Sequence, residues 1–285
     1  MTCQVMERAP ALRYRGCMSA TLSLPVGTLL REWRQRRHLS QLDLAGEAEV
    51  STRHLSYVET GRALPSREMV LRLAERLEVP LRERNRLLTA AGYAPMFAER
   101  RLEDLGAARE AVELVLRGHE PYPALAVDRH WTLVSYNRAV THLLAGLPAD
   151  LLAPPLNVLR LSLHPRGLAP RILNLAQWRG HLLARLRQQV AASADTVLAQ
   201  LLDELKAYPA PAAAAPHPAE PAMVVPLQLA SPAGTLSFIS TTTVFGTPVD
   251  ITLSELALET FFPADAATAA ALRRLGDGQA GAAAA

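Results

Sequence analysis

Cysteine is nearly missing from this 285-residue chain: Cys3 and Cys17 both lie within the first 24 residues, ahead of any periodic segment. Two thiols supply neither a disulfide framework nor a four-ligand zinc site. With none after position 17, a flavin–cysteine photosensor is excluded. Lysine is scarcer still, Lys206 standing alone among 30 basic residues. No apolar run approaches the roughly 18 residues of a helical membrane span, so no membrane partner is expected. The first 24 residues carry Arg8, Arg13 and Arg15 but lack the apolar core of a secretory signal. They read as an unstructured or spurious extension, with Met18 an alternative start, and a reducing, cytoplasmic setting is the default expectation.

Catalytic signatures are missing too. There is no HExxH, GxSxG, Walker A or GxGxxG pattern. His119, His130, His142, His164 and His181 are dispersed, without a helix-spaced pair or nearby thiols. No catalytic residue, metal site or resident cofactor is therefore expected, and the chain does not read as an enzyme.

Arginine and alanine are abundant. There are 29 Arg and 49 Ala residues, a skew of the kind GC-rich coding imposes, so the pI near 9.1 says little by itself. Its distribution says more. Residues 1–100 hold 16 Arg against 11 acids, and the remainder holds 14 basic against 16 acidic residues. A basic front half and a slightly acidic back half suit a nucleic-acid module joined to something else. The length suggests two domains.

Residues 25–92 read as five short helices. The first spans Val26–Arg37, with Leu29, Leu30 and Trp33 at one-face spacing. The second begins at Ser40, where Ser-Gln-Leu-Asp forms an Asp variant of the capping box. The third begins at Ser51, turns Leu55 and Val58 inward, and ends at Gly61 as a left-handed C′ residue. A fourth follows Pro65-Ser66, and a fifth runs from Pro80 to Gly92. The second and third lie close enough to form a helix-turn-helix, whose second helix enters the major groove by its N-terminal residues. Ser51, Thr52, Arg53, His54, Ser56, Tyr57 and Arg62 can donate to phosphates or base edges. Gln41 can bond a phosphate at the N-terminus of the second helix. Glu59 reads instead as an internal partner for an Arg of the first helix.

Leu39-Ser40-Gln41-Leu42-Asp43-Leu44-Ala45, Val50-Ser51, Tyr57-Val58-Glu59-Thr60-Gly61 and Pro65-Ser66 together resemble the lambda-repressor-like, XRE-type helix-turn-helix family. Glu49 departs from the pattern, standing where the family usually has Gly. A non-Gly residue at positive φ there costs roughly 1 kcal/mol.

Residues 93–106 read as a linker, followed by a helix near Ala107–Arg117. Ala124–Asp128 and Trp131–Tyr136 read as a β-hairpin around Arg129-His130. Asn137 is placed to cap a helix over Arg138–Ala145. Leu173–Val190 shows Leu175, Trp178, Leu182, Leu186 and Val190 at helical intervals, and Thr196–Leu205 continues that pattern. Residues 209–222 are a Pro/Ala stretch expected to be a mobile loop. Strands return at Met223–Leu229 and Gly234–Thr243. Leu256 and Leu258 alternate with Glu255, Ala257 and Glu259, as a last strand or a helix before Pro263. Residues 276–285 are expected to be disordered.

The hairpin, Asn and following helix are similar to the opening of a PAS domain. The order of modules, with Glu120–Ala124, Pro155–Pro165, Asn174–Trp178 and Ser240–Pro248, resembles the MmyB-like regulators. That resemblance implies an all-α, five-helix DNA-binding domain (25–92). An α+β PAS-like domain (107–275) would follow it, an antiparallel sheet with helices on one side. It also implies a fatty-acid-like ligand, such as a medium- or long-chain acid. Such a ligand needs an apolar slot and one or two donors. Arg160, His164, Arg171 and Asn174 are the candidates for its head group, and Trp178 for the wall. The expected partners are an operator in double-stranded DNA, the apolar ligand and a second copy of the chain. A lone small helix-turn-helix makes few base contacts, so pairing on half-sites is expected. The other reading is a back domain that serves dimerisation or protein docking with no physiological small ligand.

Overall fold

The computed structural model describes residues 24–209, 225–246, 248 and 250–283. The N-terminal extension before Leu24, with both cysteines, and nearly all of the Pro/Ala stretch lie outside the described residues.

The first domain is built from α1 (Val26–Arg36), α2 (Gln41–Glu47), α3 (Thr52–Glu59), α4 (Arg67–Arg76) and α5 (Leu81–Ala90). Their apolar stripes converge on one core that includes Leu30, Trp33, Leu44, Leu55, Leu73 and Leu88. The expected capping box is present: Asp43 N donates to Ser40 Oγ, and Ser40 N to the Asp43 carboxylate. Ser51 caps α3 by accepting from His54 N. Helices α1 and α3 touch at Gly27, where a Cβ would lie 2.1 Å from the Val58 carbonyl oxygen.

All five helices end in the same way. A residue at positive φ (His38, Glu49, Gly61, Glu78 or Gly92) turns the chain out of the helix. The next amide then returns to the carbonyl five residues back: Leu39 to Arg34, Val50 to Ala45, Arg62 to Tyr57, Val79 to Ala74, and Tyr93 to Leu88. These are Schellman closures. Glu49, at φ 54°, is therefore one of three non-Gly residues using a device the domain repeats.

Residues 93–106, read as a linker, are tied to both domains. Asn85 on α5 donates to the Phe97 carbonyl and accepts from the amides of Met96 and Phe97. Further on, Ala98 bridges to Asp250, and Arg100 pairs with the buried Asp250 carboxylate at 3.0 Å.

The second domain holds α6 (Ala107–Gly118), β1 (Ala124–Val127), β2 (Leu133–Tyr136), α7 (Arg138–Leu144), α8 (Ala149–Leu152) and α9 (Val158–Leu163). These are followed by α10 (Leu175–Ser193), α11 (Thr196–Ala207), β3 (Leu227–Ser231), β4 (Gly234–Val244), α12 (Ile251–Ser254), β5 (Ala257–Pro263) and α13 (Ala266–Ala283). The five strands form one antiparallel sheet in the order β2-β1-β5-β4-β3. The stretch around Leu256–Pro263 is thus a strand, paired on both edges. The α+β architecture is as expected, except that helices cover both faces of the sheet and not one. Leu125 and Val127 of β1 face the main core under α7, α9, α10 and α11, whereas Ala124 and Ala126 pack with Val112 and Leu116 of α6. Since alternate strand residues face opposite sides, α6 covers the far face of the sheet. The tail expectation needs correcting: α13 continues to Ala283, extending the Ala- and Leu-rich run 266–275 through Gly276, Gly278 and Gly281.

Asn137 stands at the N-cap of α7, but its side chain makes no cap there. It accepts from Ala124 N and donates to the carbonyls of Leu116 and Tyr122, tying the end of α6 to β1. The Arg138 amide is satisfied by Glu120 instead.

Candidate DNA interface and ligand cavity

On α3, Ser51 and Arg53 are exposed, while Thr52, His54, Ser56 and Tyr57 are half-buried on the same rim, and Arg62 is exposed just beyond. Arg53 Nε donates to Tyr57 Oη at 3.0 Å, and its guanidinium lies 5.4 Å from the Tyr57 ring centroid. The long side chain is thereby held along the helix, with less rotamer freedom than an unsupported Arg.

Behind this face lies an ion pair. Arg34 of α1 forks onto Glu59 of α3 at 2.7 and 2.9 Å, and Gln41 Nε2 donates to the same carboxylate at 2.8 Å. Burial alone would raise the Glu59 carboxyl. The hydrogen bonds from Arg34 and Gln41, with the charges of Arg34 and Arg31, hold it below the usual carboxylate range. Glu59 is thus the internal partner expected. Gln41 thus spends one of its two amide N–H donors on Glu59, inside the domain.

The second domain contains an apolar cavity of about 100 Å³ between the sheet and α7, α9 and α10. Leu125, Val140, Leu159, Trp178, Leu182 and Phe261 form much of its wall. Trp178, the candidate for the wall, lies among these residues, with Nε1 donating to Ser162 Oγ at 3.0 Å. The other four candidates do not line this cavity, because each holds elements together. Arg160 forks onto Glu204, linking α9 to α11. His164 accepts from Arg166 N and packs edge-on against Tyr208. Arg171 binds the carbonyls of Leu143, Ala145 and Ala230. Asn174 pairs with the backbone of Pro226 and Gln228 beside β3.

Among its lining residues the cavity has one cation and one acid, Arg185 of α10 and Glu259 of β5. Arg185 reaches the Glu259 carboxylate at 2.7 and 3.1 Å and Thr242 Oγ1 at 2.6 Å. The Glu259 side chain is 5% exposed. The guanidinium stacks 4.5 Å from the Trp131 ring centroid. Trp131 has φ 67°, rare for a bulky residue, and is fixed by Nε1 donating to Gln189 at 2.8 Å. Sequence reasoning missed Arg185 and Glu259. The legible signal was an Arg seven residues after Trp178, on the apolar stripe of α10.

Trp131 and Arg185 also line a second space, a cleft of about 650 Å³ between the two domains, bounded by Pro80, Arg82 and Arg86 at the start of α5. Arg82 forks onto Glu255 at 2.8 and 2.9 Å and reaches Glu99 in the connector at 2.8 Å. These carboxylates hold its guanidinium above the ordinary value. Arg129, two residues before Trp131, lies 3.5 Å from the same Glu255.

Among the described residues, no helix is long and apolar enough to cross a membrane, and no cluster of three or more His, Cys, Asp or Glu could hold a metal. No curated protein matches the chain. Residues 25–87 match the family model for a helix-turn-helix domain. Residues 108–275, more than half of the chain, match that of the MmyB-like transcription regulator ligand binding domain. The chain belongs to the MmyB-like transcription regulators, a DNA-binding helix-turn-helix joined to a ligand-binding domain.

Proposed function

We propose that this protein is a homodimeric, sequence-specific DNA-binding regulator whose second domain senses a small apolar, fatty-acid-like molecule. The observation that carries the reading is the cavity itself, apolar except for two serines and one ion pair. At about 100 Å³ it is smaller than the roughly 300–1,000 Å³ of drug-sized ligand sites. A medium-chain occupant must therefore displace the leucines of α7, α9 and α10. Trp131 and Arg185 wall both the cavity and the cleft against α5, so that displacement is felt where the two domains meet. A ligand with different affinity for the two domain arrangements would then alter DNA binding.

Native mass spectrometry of the purified full chain tests the ligand class. A co-purifying acyl compound, stoichiometric with the chain, is expected on dimers. A protein that stays empty and takes up no medium-chain acid would favour the docking reading, for which the exposed Leu114 and Val115 on α6 offer a surface.

A further inference from the structure

The Arg185–Glu259 pair is out of place as a stabilising device. Burying two charges beside leucines costs desolvation that their attraction hardly exceeds, so an apolar pair of similar volume would serve the fold as well. The pair is also the one charged feature of a cavity otherwise lined by apolar side chains and two serines, Ser162 and Ser240. Resting on the reading that this cavity takes an amphiphile, we infer that Arg185 is the anchor for the ligand's acid group. Glu259 is a built-in competitor for the same guanidinium. In this arrangement the Glu259 carboxylate occupies the position a ligand carboxylate would take, forked by Arg185 and bonded by Thr242 Oγ1.

Selectivity follows from this competition. An acidic ligand gains Arg185 only by sharing it with Glu259, so the pair lowers affinity for any acid while leaving an alcohol of the same length almost untouched. It also ties occupancy to the interdomain cleft. The guanidinium that turns towards a ligand is the one stacked on Trp131, and two residues before it Arg129 meets the Glu255 that holds α5 through Arg82.

The test compares octanoate with 1-octanol by calorimetric titration into the full chain as wild type, Glu259→Gln and Arg185→Gln. The ratio of the two affinities within one protein is independent of any loss of folded fraction. We expect Glu259→Gln to raise the preference for octanoate at least tenfold and Arg185→Gln to lower it at least tenfold, with 1-octanol changing less than threefold. A ratio equal across the three proteins, or ordered the other way, overturns the assignment while leaving the cavity a ligand site. Binding of neither compound to any of the three removes the ligand reading, and this inference with it.

Discussion

Arg53 and Glu59 sit six residues apart on α3 and do opposite work. Arg53 is exposed and steadied along the helix by Tyr57, and the residue types of this face were legible from spacing alone. Arg53→Ala should weaken DNA binding by about 1–3 kcal/mol if it reads a base edge. Fluorescence anisotropy at fixed salt checks this, and an unchanged affinity removes Arg53 from the interface. Glu59 is buried, and its partnership with an Arg of the first helix was also legible, because a lone acid on a DNA-facing helix needs a reason. Gln41 was not, since its bond to Glu59 crosses 18 residues of sequence that only the fold brings together. Glu59→Gln leaves Arg34 buried without its charge partner and should destabilise the domain by about 3 kcal/mol, read from urea unfolding. Because the folded Glu59 carboxyl lies below its unfolded value, its contribution is complete above the unfolded carboxyl range, near pH 4.3. It is lost as pH falls through the lower folded value. Wild-type stability should therefore drop on acidification below about pH 4.5, and Glu59→Gln should flatten that drop.

At the scale of elements, the helices of the first domain announced themselves through caps and periodicity, because their contacts are mostly local. Glu49 looked like an exception only while one turn was considered; His38 and Glu78 hold the same left-handed geometry. Glu49→Gly should raise thermal stability by about 0.5–1 kcal/mol, since it removes the Cβ clash at positive φ. Should it lower the melting temperature, the strain assigned here is not real. In the second domain, the alternation around Leu256–Glu259 left strand and helix both open for β5, and it did not show which face of the strand meets the cavity. Leu258 packs under α6, and it is Glu259 and Phe261 that face the cavity. The rule that apolar residues point to the core misleads where both faces of a strand are covered. The four polar residues proposed as head-group donors have other partners: Arg160 links α9 to α11, His164 packs on Tyr208, and Arg171 and Asn174 bind backbone groups of neighbouring segments. Arg185 and Glu259 lie 74 residues apart on different elements, and only the closed sheet makes them a pair.

For the whole molecule, the division into two domains was plain from charge and motifs, while the way they are joined was not. The connector is pinned by Asn85, Arg82 and Arg100, so the DNA-binding domain is held against the ligand-binding domain by named contacts. Glu255→Gln removes the carboxylate shared by Arg82 and Arg129, and should loosen that placement without unfolding either domain. Small-angle scattering should then show a larger radius of gyration, and unchanged scattering would mean the ion pairs do not set the arrangement. In the proposed function, occupancy of the cavity reaches the DNA-binding face. The most direct measurement of this is an anisotropy titration of the full chain onto DNA selected from a random library, with and without saturating octanoate. Coupling of about 1–3 kcal/mol between sites predicts at least a fivefold change in affinity, shrinking towards none in Glu255→Gln. Superimposable wild-type isotherms, with octanoate shown to be bound, would contradict the account.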